Sequence, residues 1–238
     1  MRFWCVVVAA CLIAPVVAKA HETRTFTLPD GTSLQYVLVL PDGFDPTQKY
    51  EGLLAFPGGD QTISRAVGTV ERFWEPEAVK RGVIVVAPAA PTPGRPYYMG
   101  EGSVNLIPDI VAAMRAAYPI KDGQMHVAGH SNGGITAFRA AIRWPELFQS
   151  LTVIAGVPAE RVDFERLDRL KGMKVSLFVG IGDYDWRPPM DETRQVMKDL
   201  GIPSTYVVVP RSGHLLEGLS YEKSGPVFDT VVPRPRTN

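Results

Sequence analysis

Residues 129–134 read Gly-His-Ser-Asn-Gly-Gly, so Gly129, Ser131 and Gly133 form the pattern G-x-S-x-G. The pattern follows an apolar run, Met125–Ala128, and precedes a segment of helical character, Gly134–Arg143. A serine oxygen is a poor nucleophile unless it stands clear of its own backbone and beside a base. A sharp strand-to-helix turn supplies that exposure. It also crowds the residues two before and two after the serine, where glycine removes the Cβ clash. The first N–H groups of the following helix then lie under the serine, where developing negative charge is favoured. A tight glycine-rich turn in a ligand-binding α/β protein has the same spelling, so the partners available to Ser131 decide between the two.

The chain has four histidines: His21, His126, His130 and His214. His21 lies far from the core elements, and a copper site at an N-terminal histidine would need a second histidine ligand. His126 sits inside an apolar strand, as a hydrogen-bonded core residue would. His130 adjoins the serine, but neighbours on a tight turn point apart. His214 follows the last apolar strand, in Arg211-Ser212-Gly213-His214, and is the candidate base. An imidazole acting as a base needs a carboxylate to orient it. The strand Val175–Val179 runs into Gly180-Ile181-Gly182-Asp183-Tyr184-Asp185-Trp186, which offers Asp183 and Asp185; Glu160 is a more distant third. The chain order serine, acid, histidine is that of an α/β-hydrolase. Oxyanion donors are expected from the N–H of Asn132 and from the loop Pro57-Gly58-Gly59-Asp60-Gln61, where a Gly-Gly pair lets the main chain approach a substrate closely.

The elements that must position these residues alternate. Arg24–Leu28 and Ser33–Leu40 flank the turn Pro29-Asp30-Gly31 and predict an antiparallel hairpin. Gly52–Phe56, Val83–Ala87, Met125–Ala128, Leu151–Ala155, Val175–Val179 and Tyr206–Val209 read as short strands. Pro76–Arg81, Val104–Tyr118, Gly134–Arg143, Ala159–Leu170 and Asp191–Leu200 read as helices between them. The later strands are continuous apolar runs, as in parallel sheets covered on both faces. The predicted fold is therefore α/β, a mostly parallel central sheet with an antiparallel N-terminal hairpin and helices on both faces. In such sheets functional groups collect at the carboxyl ends of the strands.

Met1-Arg2, an apolar run Phe3–Val17 and the small-x-small site Ala18-Lys19-Ala20 predict a secretory signal peptide over residues 1–20. The run is shorter than the about 20 residues a bilayer span needs. Residues 21–238 are then expected to form one domain, secreted or periplasmic and without a membrane span. Both cysteines, Cys5 and Cys11, fall in the leader, so the remainder cannot be a disulfide scaffold, a cysteine hydrolase or a thiolate-metal protein. The whole chain has 25 basic and 25 acidic residues among 238, with 45% hydrophobic residues. That balance excludes a disordered or multi-span chain and offers no global attraction for nucleic acid.

Taken together, Gly-His-Ser-Asn-Gly-Gly, Gly180-Ile181-Gly182-Asp183, Gly213-His214 and Phe56-Pro57-Gly58-Gly59 resemble the secreted α/β-hydrolase esterases related to polyhydroxybutyrate depolymerases and feruloyl esterases. The resemblance covers roughly residues 33–216. It implies ester hydrolysis through an acyl-enzyme, with Ser131 as nucleophile, His214 as base and Asp183, favoured over Asp185, as the acid. It also implies an oxyanion hole at Gly59 and Asn132, no metal and no organic cofactor. Proline stands at 57 where that group usually has histidine. A small-molecule or polymeric ester would bind beside the serine. Gly58, His130, Tyr97, Tyr98 and Trp186, with Leu215-Leu216, are the candidates to line its pocket. The competing readings are a serine peptidase on the same fold and a binding protein that kept the scaffold.

Overall fold

The computed structural model describes residues 20–92, 94–99 and 101–232. The leader expected over residues 1–20 lies outside these, apart from Ala20. Among the described residues eight strands form one sheet: β1 (His21–Thr27), β2 (Ser33–Val39), β3 (Glu51–Phe56), β4 (Val83–Pro88), β5 (Met125–His130), β6 (Phe148–Ile154), β7 (Lys174–Gly180) and β8 (Ser204–Val209). Their order across the sheet is β1-β2-β4-β3-β5-β6-β7-β8. β1 pairs antiparallel with β2 and β2 antiparallel with β4; every other pairing is parallel. The hairpin turns at Gly31, whose φ is +85°, and the Asp30 carboxylate accepts the Thr32 N–H at 2.8 Å. This is the α/β-hydrolase fold.

Alternate residues of each inner strand enter two separate cores. Leu54 and Phe56 of β3, Ile84 and Val86 of β4, and Val175, Leu177 and Val179 of β7 face one side. There they meet α4 (Ile107–Ala117), α5 (Asn132–Arg143) and α7 (Arg187–Asp199). Leu53 and Ala55, with Val83, Val85 and Ala87, face the other side. They meet α1 (Ile63–Thr69), α2 (Glu75–Arg81) and α8 (Gly225–Phe228). No strand of the inner sheet is left with a wet face, which is why the runs read as unbroken apolar stretches. The described residues contain no cysteine, so burial does the holding, at about 1.5–3 kcal/mol for each enclosed large apolar side chain.

The helix on the second face departs from expectation. It does not begin at Pro76 but at Ile63. Between α1 and α2, Val70–Trp74 form a π turn in which the Glu75 N–H donates to the Val70 carbonyl. Proline explains the widening. In regular α geometry the Pro76 ring would strike the carbonyl of Arg72, and Pro76 has no N–H to give. The expected helix 104–118 is two pieces, α3 (Glu101–Val104) and α4. The segment 159–170 is α6 (Arg161–Glu165) followed by a 3-10 turn, Leu167–Leu170. α7 starts four residues earlier than Asp191, with prolines tolerated in its first turn.

α5 is pinned by Arg139, which is 1% exposed. Its guanidinium donates to Asp163 of α6 at 3.0 and 3.2 Å and to the Tyr98 carbonyl at 3.1 Å, and it pairs with Glu160 at 2.7 Å. Glu160 therefore serves α5 and not His214. Asp163 is the buried partner, and its removal leaves the buried guanidinium to the exposed Glu160 and one carbonyl. Asp163→Ala is expected to cost about 3 kcal/mol, read as a fall in the urea midpoint; an unchanged midpoint contradicts this role for the pair.

Candidate active site

The turn from β5 into α5 holds Ser131 at φ 56° and ψ −124°, a left-handed conformation that a serine reaches only under constraint. The constraint is backbone contact. A Cβ on Gly129 would lie 1.9 Å from the Gly133 carbonyl oxygen, and one on Gly133 would lie 2.1 Å from the Phe56 carbonyl oxygen. Only glycine permits either approach, so the strand, the serine and the helix close on one another as tightly as main chains can.

The chain brings Ser131, His214 and Asp183 together. His214 Nδ1 lies 2.8 Å from Asp183 Oδ2, and His214 Nε2 lies 2.9 Å from Ser131 Oγ. The ionised carboxylate only accepts, so Nδ1 carries the proton. Nε2 is then left with a lone pair facing the serine hydroxyl. Asp183 is buried, whereas Asp185 is exposed. The two loops are also tied through the main chain. Gly182 N–H donates to the Ser212 carbonyl at 2.9 Å, and Gly213 N–H donates to Glu217 Oε2 at 2.8 Å. These backbone donors, Glu217's own N–H first, hold the Glu217 carboxyl below its usual range.

His130 is buried against His214 and Phe73, with ring centroids 5.0 and 5.1 Å away. Its Nε2 lies 3.0 Å from the His214 carbonyl oxygen, so Nε2–H is the donor. Burial pushes its pKa down to about 4, with the bond to the His214 carbonyl opposing and the Arg72 charge adding to the shift, and the ring stays neutral. His130 thus seats the backbone of the neighbouring histidine. Trp186 also stacks on the His214 ring, at 5.7 Å and 25°.

A cleft of about 360 Å³ opens over Ser131. Gly58, Gly59, His130, His214 and Leu215 line it, as do Ser64, Arg65, Gly68, Thr69, Arg72 and Phe73 from the helix before Pro76. Gly59 is fixed beside the turn, where its carbonyl accepts the Asn132 Nδ2–H at 3.0 Å. Asn132 opens α5, where the first N–H groups have no acceptor within the helix. Tyr97 corrects the sequence reading. It is fully buried, its N–H donates to Gln61 Oε1 at 2.7 Å, and its hydroxyl donates to the Ala89 carbonyl at 3.0 Å. Tyr98 is half-buried and engages Arg139 through its carbonyl, away from the cleft lining. Trp186 touches His214 and not the cleft wall. His21 is not remote from the fold: its side chain is buried, with Nδ1 2.7 Å from Glu75 Oε2. His126 is a core residue bonded to Ser150 Oγ at 2.7 Å. Among the described residues no cluster of three or more His, Cys, Asp or Glu could hold a metal, and no helix is long and apolar enough to cross a membrane.

No family model matches the chain. It is 29% identical to a probable acetylxylan esterase A of Aspergillus fumigatus over 43% of its own length. The match spans about a third of that relative, 32%. The fold is similar to that of the feruloyl esterase module from Clostridium thermocellum complexed with sinapinate, with TM-score 0.70, 14% identity and coverage of 92% of this chain and 90% of that one. It is also similar to the fluorophosphonate-binding serine hydrolase F of Staphylococcus aureus, with TM-score 0.68, 12% identity and coverage of 89% and 96%. At these identities the structural likeness is one of fold.

Burial also pushes the pKa of His126 down to about 4. A histidine lowered in the fold binds its proton first in the unfolded chain, so stability is full above the ordinary value of 6.5 and falls as pH drops towards 4. The urea midpoint is expected to drop between pH 7.5 and 4.5, with a shallower drop in His126→Gln. Parallel profiles for the two proteins would show that this ring does not contribute.

Proposed function

We propose that the protein is a serine hydrolase that cleaves carboxylic esters through an acyl-enzyme. The observation that carries the reading is the unbroken relay from Asp183 through His214 to Ser131, 2.8 and 2.9 Å long, opening on a cleft. Ser131 Oγ attacks the ester carbonyl as His214 Nε2 takes its proton. Asp183 stabilises the imidazolium that results. The N–H groups of Gly59 and Asn132 receive the oxyanion, each worth about 2.7–4 kcal/mol in the transition state. His214 returns the proton to the leaving alcohol, then draws one from water for deacylation. No step calls for a metal or an organic cofactor.

The names of the similar proteins favour acetyl or aromatic acyl esters of small molecules or polysaccharides as substrates. The leader expected over residues 1–20 would place this activity outside the cytoplasm, in one domain over 21–238 with no membrane span and no nucleic-acid partner.

With p-nitrophenyl acetate as substrate, Ser131→Ala and His214→Ala are each expected to lower kcat by at least about 10⁴-fold, and the double variant no further. Asp183→Asn is expected to cost about 10⁴-fold, because the imidazole loses its orienting acceptor. Asp185→Asn stays close to wild type. Turnover that survives Ser131→Ala overturns the reading. Faster cleavage of aminoacyl p-nitroanilides than of the ester favours a peptidase.

A further inference from the structure

The cleft wall carries charge of one sign. Of its lining residues Arg65 and Arg72 are cationic, Ser64 and Thr69 offer hydroxyls, and none is a carboxylate. The lining positions recur as pairs, 64/65, 68/69 and 72/73, a four-residue rhythm that a regular helix would carry out of phase. Arg65 and Arg72 are seven residues apart, two turns of helix, and so share a face, while the π turn Val70–Trp74 slows the rotation and returns Phe73 towards that face. Pro76, through its clash with the Arg72 carbonyl, is the cause written in the sequence.

Both guanidinium groups have donors to spare. A Cβ on Gly59 would meet Arg65 Nε at 3.1 Å and Cζ at 3.6 Å, so this cation lies against the oxyanion loop. Its carboxylate neighbour is Asp60, 3.7 Å away and beyond hydrogen-bond reach; the same Asp60 oxygen accepts the Thr62 hydroxyl at 3.1 Å. Arg72 rests over the Tyr221 ring, 5.0 Å from its centroid, and among the described residues makes no hydrogen bond or ion pair. Glu217, the carboxylate that senses Arg72, is held by the Gly213 N–H and lies off the cleft wall. A guanidinium presents five donors in a plane that matches a carboxylate, and two of them border the space where an ester must lie.

We propose that the cleft selects esters bearing a second, free carboxylate near the scissile bond, with Arg65 and Arg72 as its specificity-determining residues. This rests on the serine esterase reading above. The carboxylate can belong to the acyl part or to the alcohol, and two matched pairs separate these sources. One pair is mono-4-nitrophenyl adipate against 4-nitrophenyl hexanoate. The other is 4-carboxyphenyl acetate against phenyl acetate.

The readout is the ratio of kcat/KM, anionic over neutral, after correction for spontaneous hydrolysis. At low salt at least one pair is expected to give a ratio of tenfold or more. The ratio should fall in 0.5 M NaCl and collapse to about one in the Arg65→Gln/Arg72→Gln double variant. Ratios near or below one in both pairs, with the neutral esters turned over in a Ser131-dependent manner, overturn the proposal and leave the esterase reading standing. A ratio that survives the double variant assigns the preference to other residues and also overturns it. Failure to turn over any of the four esters takes down both readings.

Discussion

Two main chains touch at the centre of this protein. The carbonyl of Phe56, at the end of β3, and the first turn of α5 leave no room for a side chain at Gly133, and Gly129 is closed off by Gly133 itself. Everything chemical follows from that contact. It holds Ser131 in a left-handed conformation that the residue would not choose, and lifts its hydroxyl off the sheet. It also brings the Gly58-Gly59 loop against the start of α5, where the Gly59 carbonyl accepts the Asn132 side-chain N–H. The strain at one serine is borne by the packing of two cores, one on each face of the sheet.

His214 and Asp183 reach the same point by a different route. β7 and β8 are parallel neighbours, so the loops after them leave the same edge of the sheet side by side. A main-chain bond from Gly182 to Ser212 ties the two loops, and the Glu217 carboxylate holds the Gly213 N–H within the second. His130 and Trp186 then hold the imidazole, one through the His214 carbonyl and one through the ring face. The geometry of one histidine therefore depends on three strands, β5, β7 and β8.

Much of this was legible in the sequence, because strand ends in a parallel sheet are marked by where apolar runs stop. Ser131, Asp183 and His214 each follow such a stop, and parallel order across β5 to β8 carries the stops to one edge. The helix before Pro76 is masked in the sequence, although Ile63, Ala66, Val67, Val70, Phe73 and Trp74 recur at helical spacing. Gly68, Thr69 and the proline mask that rhythm, and a π turn has no simple apolar period. With the helix went the cationic wall of the cleft. Tyr97 fails for another reason: its burial is set by Phe56, Gln61 and Ala89, partners that local sequence cannot supply. Glu160 likewise belongs to Arg139, a pairing made only when α5 and α6 pack.

The central claim is that one turn, two loops and two amides form a single reacting site. The most direct test is a crystal structure after treatment with an alkyl fluorophosphonate. A covalent bond from Ser131 Oγ to phosphorus is predicted, with the phosphoryl oxygen about 2.7–3.1 Å from the N–H groups of both Gly59 and Asn132 and with His214 still bonded to Asp183. An unmodified Ser131, or an adduct whose phosphoryl oxygen points away from both amides, would contradict the account.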